Sequence, residues 1–114
     1  MGLLNPENGT KSTSMNTYPM KRVTIVCESL AREPVLKMIE SMGAHGWTLF
    51  SVQGSGHQGE RPSDIPEFSN IQVEVIVPPK VSDSLLQGLQ SELFKKFAMV
   101  AYEQDIRVLR PEKF

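Results

Sequence analysis

The sequence predicts an α+β domain, a four-stranded antiparallel sheet carrying two helices. Three observations support that expectation. Four short runs rich in β-branched residues are spaced along the chain. Two segments between them repeat apolar residues at three- and four-residue steps, the signature of amphipathic helices. The chain length of 114 residues suffices for one compact domain but not for two ordinary ones. In chain order the elements run β-α-β-β-α-β, the split βαβ order of ferredoxin-like domains.

Each element has its own justification. Residues 1–20 are rich in Asn, Ser, Thr, Gly and Pro and lack apolar periodicity beyond Leu3-Leu4. They read as a flexible N-terminal arm, with the folded domain spanning 21–114. Val23-Thr24-Ile25-Val26-Cys27 is the first strand. Within Ser29 to Met42 the stripe Val35, Met38, Ile39 and Met42 predicts a helix. Its Pro34 is tolerated only in or near the first turn, and Gly43 is placed to end it in a left-handed conformation. Trp47 to Gln53 reads as the second strand. Gly54 to Ser69 is interrupted by Gly54, Gly56, Gly59, Pro62 and Pro66 and is expected to be a long loop, of a kind that is usually functional or mobile. Ile71 to Val77 is the clearest strand, closed by Pro78-Pro79. Ser82 is placed to cap a second helix, whose stripe is Leu86, Leu89, Leu93 and Phe97. The last strand covers about Val100 to Leu109, with Tyr102, Ile106 and Val108 on one face.

Two helices can cover only one face of such a sheet. Yet Val23 to Val26 and Val75 to Val77 are apolar on both faces, as in strands buried on both sides. Another copy of the chain is the simplest cover, so the pattern predicts a closed homo-oligomer.

Composition narrows the function. A formal net charge of -1 without any basic block argues against a nucleic-acid partner, which needs a cationic footprint. No apolar run approaches the roughly 20 residues of a membrane span. The opening Met1-Gly2-Leu3-Leu4-Asn5-Pro6 lacks the apolar core of a signal peptide. The expectation is a cytoplasmic protein with no direct membrane insertion. The single cysteine, Cys27, reads as a small buried hydrophobe and excludes both an internal disulfide and a multi-cysteine zinc framework. With only two histidines besides, no metal site is expected. His45 reads as an exposed turn residue, Trp47 as packed, and Lys95-Lys96 as a complement to a helix dipole.

The stretch most suggestive of chemistry is Val52-Gln53-Gly54-Ser55-Gly56-His57-Gln58-Gly59-Glu60-Arg61, which leaves a strand and enters the long loop. Two glycines one residue apart let backbone N–H groups converge on a phosphate with no Cβ in the way. His57 and Arg61 could add charge, and arginine suits bidentate contact with phosphate oxygens. Spacing alone favours the plainer reading, a loop that needs glycine only for its turns. No Gly-Lys-Ser/Thr follows, as a Walker loop requires, and no helix follows, as a dinucleotide fingerprint requires.

A wider set of residues carries a family resemblance. Met20-Lys21-Arg22-Val23, Gly46-Trp47-Thr48, the set Val52, Gly54, Gly56, Gln58 and Gly59, then Val73-Glu74-Val75-Ile76-Val77-Pro78 and Ile106-Arg107-Val108-Leu109-Arg110 together resemble the PII signalling superfamily. Gly54-x-Gly56-x-Gln58-x-x-Arg61 and Phe97-Ala98-Met99-Val100-Ala101-Tyr102 look closest to its PII-like, SbtB and carboxysome-associated branch. The resemblance implies a non-catalytic homotrimer that binds adenine nucleotides in clefts between subunits. It also implies a link to inorganic-carbon uptake, with bicarbonate as an effector. Implied partners are a bicarbonate transporter or a carboxysome-associated protein.

The resemblance also assigns roles to individual residues. Thr48 matches a position that contacts adenine. Gly54, Ser55, Gly56 and His57 match the base of the family's T-loop, whose backbone lines the phosphates. Gln58 matches a glutamine that, in nitrogen-sensing members, helps ligate Mg²⁺ and 2-oxoglutarate. Arg61 matches a second loop arginine that contacts phosphate. Phe97, Ala98, Met99 and Val100 match a backbone stretch that supports base and phosphates from the next subunit. Arg110 matches a C-terminal arginine that reaches the polyphosphate, and Arg107 lies one register away.

Departures matter as much. The loop Gly54–Ser69 has no tyrosine, so uridylylation of the nitrogen-sensing type has no acceptor. Phe97-Ala98-Met99 contains neither Gly nor Lys where nitrogen-sensing members carry a glycine-rich phosphate loop. Fewer cations then face the phosphates, which favours ADP or AMP over ATP, with cyclic AMP as a further alternative. The sequence ends at Phe114 without the Cys-containing tail of many SbtB proteins, so redox behaviour tied to that tail is not expected. Competing readings are a nitrogen-regulatory PII protein and a CutA-like metal-binding trimer. An acylphosphatase would need glycines in Cys27–Arg32, and an RNA-recognition module would need aromatics in Ile71–Val77; neither is present.

Overall fold

The computed structural model describes residues 15–53 and 70–114. In chain order it forms β1 (Tyr18–Glu28), α1 (Arg32–Ser41), β2 (Thr48–Val52), β3 (Asn70–Val77), α2 (Pro79–Gly88) and β4 (Met99–Val108). The sheet runs β2-β3-β1-β4 with every pairing antiparallel, the ferredoxin-like order expected. One face of the sheet builds the core. There Val23, Ile25 and Cys27 of β1 and Ile71, Val73, Val75 and Val77 of β3 cluster with Val35, Leu36 and Ile39 of α1 and with Leu85, Leu89 and Leu93.

β1 begins at Tyr18, earlier than the boundary at residue 21 expected from composition. The ten-residue β4 supplies partners there: Tyr18 opposes Val108, Pro19 opposes Arg107 and Met20 opposes Ile106. Cross-strand pairing, not local hydrophobicity, orders these residues, and Met20 is buried. Residues 1–14 of the expected arm lie outside the described residues.

After β1 a single 3₁₀ turn, Ser29–Ala31, precedes α1, which places Pro34 in the first helical turn as expected. At the other end Gly43 has φ +88°. Its N–H donates to the Glu40 carbonyl at 3.1 Å, and the Ala44 N–H donates to the Ile39 carbonyl at 3.4 Å. This is the paired closure of a Schellman motif, in which the left-handed position suits glycine.

α2 starts earlier than expected, and Ser82 is not its cap. Pro78, held extended before a following proline, is the N-cap, and Pro79 takes the first helical position, where its missing N–H costs nothing. Ser82 therefore lies inside the helix, with its N–H on the Pro78 carbonyl at 3.0 Å. It is fully buried, and its hydroxyl donates to the Glu103 carboxylate on β4. The buried stripe becomes Ser82, Leu85, Leu89 and Leu93, whereas Leu86 and Phe97 are only partly buried. A π turn, Leu89–Leu93, continues α2, closed by the Phe94 N–H on the Leu89 carbonyl at 2.9 Å. Lys95 and Lys96 follow it, exposed, in the turn leading to β4.

Register assigns the opposite face. Phe50, Gln72, Glu74, Ile76, Arg22, Thr24, Val26, Val100, Tyr102 and Gln104 all lie on it, because directly opposed residues share a face. Among the described residues no helix covers it. Val100 is 58% exposed, Tyr102 50% and Phe50 43%. Trp47, just ahead of β2, is 38% exposed rather than packed.

Candidate functional site

One end of the sheet gathers most of the relevant backbone. Val52 opposes Asn70, and Asn70 opposes Glu28. Glu28 in turn meets Ala98, its N–H donating to the Ala98 carbonyl at 3.2 Å. Val52, Asn70, Glu28 and Ala98 thus form one row across the sheet, and Val52 and Asn70 stand on either side of the segment 54–69 in sequence. The Ala98 N–H donates to the Glu28 carboxylate at 2.8 Å. Glu28 was not singled out in the sequence; an acidic residue closing an apolar strand was the signal available.

The sequence-predicted site residues divide into four groups. Gly54, Ser55, Gly56, His57, Gln58 and Arg61 lie outside the described residues. Phe97, Ala98, Met99 and Val100 lie at the row just described, where the π turn feeds β4. The Phe97 N–H is taken by the Leu93 carbonyl at 3.1 Å. Thr48 stands on the other edge of the sheet. It opposes Glu74, which opposes Thr24, which opposes Tyr102. Three strand spacings, about 14 Å, therefore separate Thr48 from β4 within one chain. Arg107 and Arg110 are exposed at the far end of β4. Arg107 lies eight positions after Met99, so the two are about 27 Å apart at the rise of a strand. One chain thus brings Phe97–Val100 to the loop end but leaves Thr48, Arg107 and Arg110 elsewhere.

A polar cluster lies where α2 starts on the sheet. Lys21 Nζ is 2.6 Å from Asp105 Oδ1 and 3.4 Å from Glu103 Oε2, and Glu103 accepts the Ser82 hydroxyl. The hydrogen bond to Asp105 raises the Lys21 pKa above its ordinary value. This chain ties β1, β4 and α2 together and reads as structural. Burial pushes the Cys27 thiol up to about 11, with the Glu28 charge adding to it, which leaves a poor nucleophile. Among the described residues no group of three His, Cys, Asp or Glu side chains could hold a metal ion. None of the described helices is long and apolar enough to cross a membrane.

The same architecture occurs in known proteins. The family described as Nitrogen regulatory protein P-II matches residues 20–113. A PII-like signalling protein from Thermus thermophilus is 39% identical with a TM-score of 0.76, over 88% of this chain and 99% of that one. CPII from Thiomonas intermedia, a nitrogen regulatory PII-like protein bound to ADP, AMP and bicarbonate, is 27% identical with a TM-score of 0.81, over 89% of this chain and 98% of that one. CPII bound to ADP and bicarbonate gives 27% identity and a TM-score of 0.80, over 89% of this chain and 99% of that one. With a match from the start of the sheet to the last residues, and the sheet order that goes with it, the chain belongs to the P-II family, whose members are signalling regulators rather than enzymes.

Proposed function

We propose that this protein is a homotrimeric sensor of adenine nucleotides, ADP or AMP foremost, with bicarbonate as a second effector. The observation that carries the reading is the likeness to CPII, a protein bound to ADP, AMP and bicarbonate, across 98% of the CPII chain. The geometry is compatible with a cleft between copies. Thr48 and Phe97–Val100 occupy opposite edges of the sheet, so a second copy is needed to bring them to one ligand. Phe50, Val100 and Tyr102 supply the exposed apolar surface with which copies would pack.

In this reading Gly54, Ser55, Gly56, His57, Gln58 and Arg61 contact the phosphates from the loop, and Arg107 and Arg110 add charge from a neighbouring subunit. Nucleotide and bicarbonate bind one arrangement of segment 54–69 better than another and so shift its population. That arrangement presents or hides a surface for a cytoplasmic target concerned with inorganic carbon, a bicarbonate transporter or a carboxysome-associated protein.

Isothermal titration with AMP, ADP, ATP and cyclic AMP, each with and without bicarbonate, tests the proposal. Saturable binding at one site per chain, with an affinity that bicarbonate changes, is the expected result; such a change measures coupling between two ligands. Absence of binding by all four nucleotides would overturn it.

A further inference from the structure

We propose that Glu28 is a positioning residue for the nucleotide cleft, holding the start of β4 so that Met99 offers its backbone to the ligand. The inference rests on the nucleotide reading above and adds a residue to it. The ladder between β1 and β4 continues one pair past Cys27–Met99, since the Glu28 N–H donates to the Ala98 carbonyl at 3.2 Å. In an ordinary antiparallel pair the return bond would run from the Ala98 N–H to the Glu28 carbonyl. Here the Glu28 side chain takes that N–H at 2.8 Å. A carboxylate acceptor makes this bond shorter and stronger than an amide–amide one. Glu28 thus lets β1 depart into its 3₁₀ turn while β4 keeps its register to the first residue.

The consequence falls on Met99. Hydrogen-bonded and non-hydrogen-bonded pairs alternate along an antiparallel ladder. With Glu28–Ala98 bonded, Cys27–Met99 is the non-bonded pair, and the Met99 N–H and C=O point away from β1. β4 is an edge strand, so these groups face the open side of the sheet. An N–H donor and a carbonyl acceptor on that open side are available to a nucleotide in the cleft. Because Ala98 is held from within the chain, the donor–acceptor pair is preorganised before the ligand arrives, which reduces the ordering cost of binding.

The test compares Glu28→Ala and Glu28→Gln in the full-length protein by ADP titration, together with amide hydrogen exchange at Ala98 and Met99 without nucleotide. Loss of a charge-assisted hydrogen bond that orders the cleft predicts ADP affinity about tenfold weaker in Glu28→Ala. Exchange at Ala98 rises in the same variant. Glu28→Gln keeps an acceptor oxygen in reach and is expected to stay within about threefold of the wild type, a rescue that lost charge alone would not give. If Glu28→Ala does not fold, Glu28→Asp, one methylene shorter, takes its place with the same expected loss. ADP affinity and exchange unchanged in the shortened variant would overturn the role of Glu28 while leaving the nucleotide site intact. A wild type that binds no ADP would overturn the nucleotide reading itself, and this inference with it.

Discussion

At the end of β1, Cys27 is 2% exposed, in the core between the sheet and the helices. Burial disfavours its thiolate and moves its pKa from 9.0 to about 11. The folded state therefore holds this proton more tightly than the unfolded chain does. The stability that follows is complete below pH 9, declines as the unfolded thiol ionises, and is lost once pH passes about 11. Lys21, with its pKa raised chiefly by the hydrogen bond to Asp105, works in the same direction at still higher pH. We expect chemical-denaturant midpoints to fall between pH 9 and 11, and Cys27→Ala to flatten that slope by an amount on the order of 2 kcal/mol. An equal slope in wild type and variant would show that the thiol does not titrate differently on folding. The core role of Cys27 was legible from its place in a β-branched run. Ser82 has the residue type of a cap but lies inside α2, and only the tertiary contact with Glu103 explains a buried hydroxyl at that position. The contact made by Glu28 was invisible for the same reason, since its partner Ala98 lies 70 residues away in sequence.

Between the helices, Gly88 of α2 lies close against methionine side chains from α1 and its C-cap. A Cβ there would lie 3.0 Å from Met38 Sδ and 3.2 Å from Met42 Cε. Met38 of α1 and Met42 just past its end thus pack against the core, as their periodicity implied, and Gly88 leaves the space they fill. Glycine inside a helix costs about 1 kcal/mol relative to alanine, but alanine here must displace a thioether. The two effects oppose each other, and Gly88→Ala is expected to be close to neutral. Gly88→Leu overpacks the site by several heavy atoms and is expected to cost about 1–3 kcal/mol, read as a lower thermal midpoint. A Gly88→Leu protein as stable as the wild type would mean that α1 and α2 have room to separate. Element order and type were legible because apolar periodicity distinguishes strands from helices. Boundaries were less so. The Tyr18–Met20 extension depends on β4, and the buried stripe passes through Leu85 and not Leu86, adjacent leucines that sequence does not distinguish.

Across the whole molecule, two apolar faces had to be accommodated by two helices. The structure covers one and leaves Phe50, Val100 and Tyr102 exposed on the other. That asymmetry was legible in Val26 and Ile76, which are apolar where a solvated face would be polar. The candidate site was legible only in pieces. Resemblance named Thr48 and Phe97–Val100, and register then showed them on opposite edges of one sheet. The proposed cleft, completed by a neighbour, would tie nucleotide binding to assembly, and native mass spectrometry of the full chain with ADP reads both together. The account predicts a species at three times the 12.8 kDa chain mass that takes up as many as three ADP molecules, with monomers carrying none. Monomers that bind ADP, or a trimer that takes up no ADP, would contradict it.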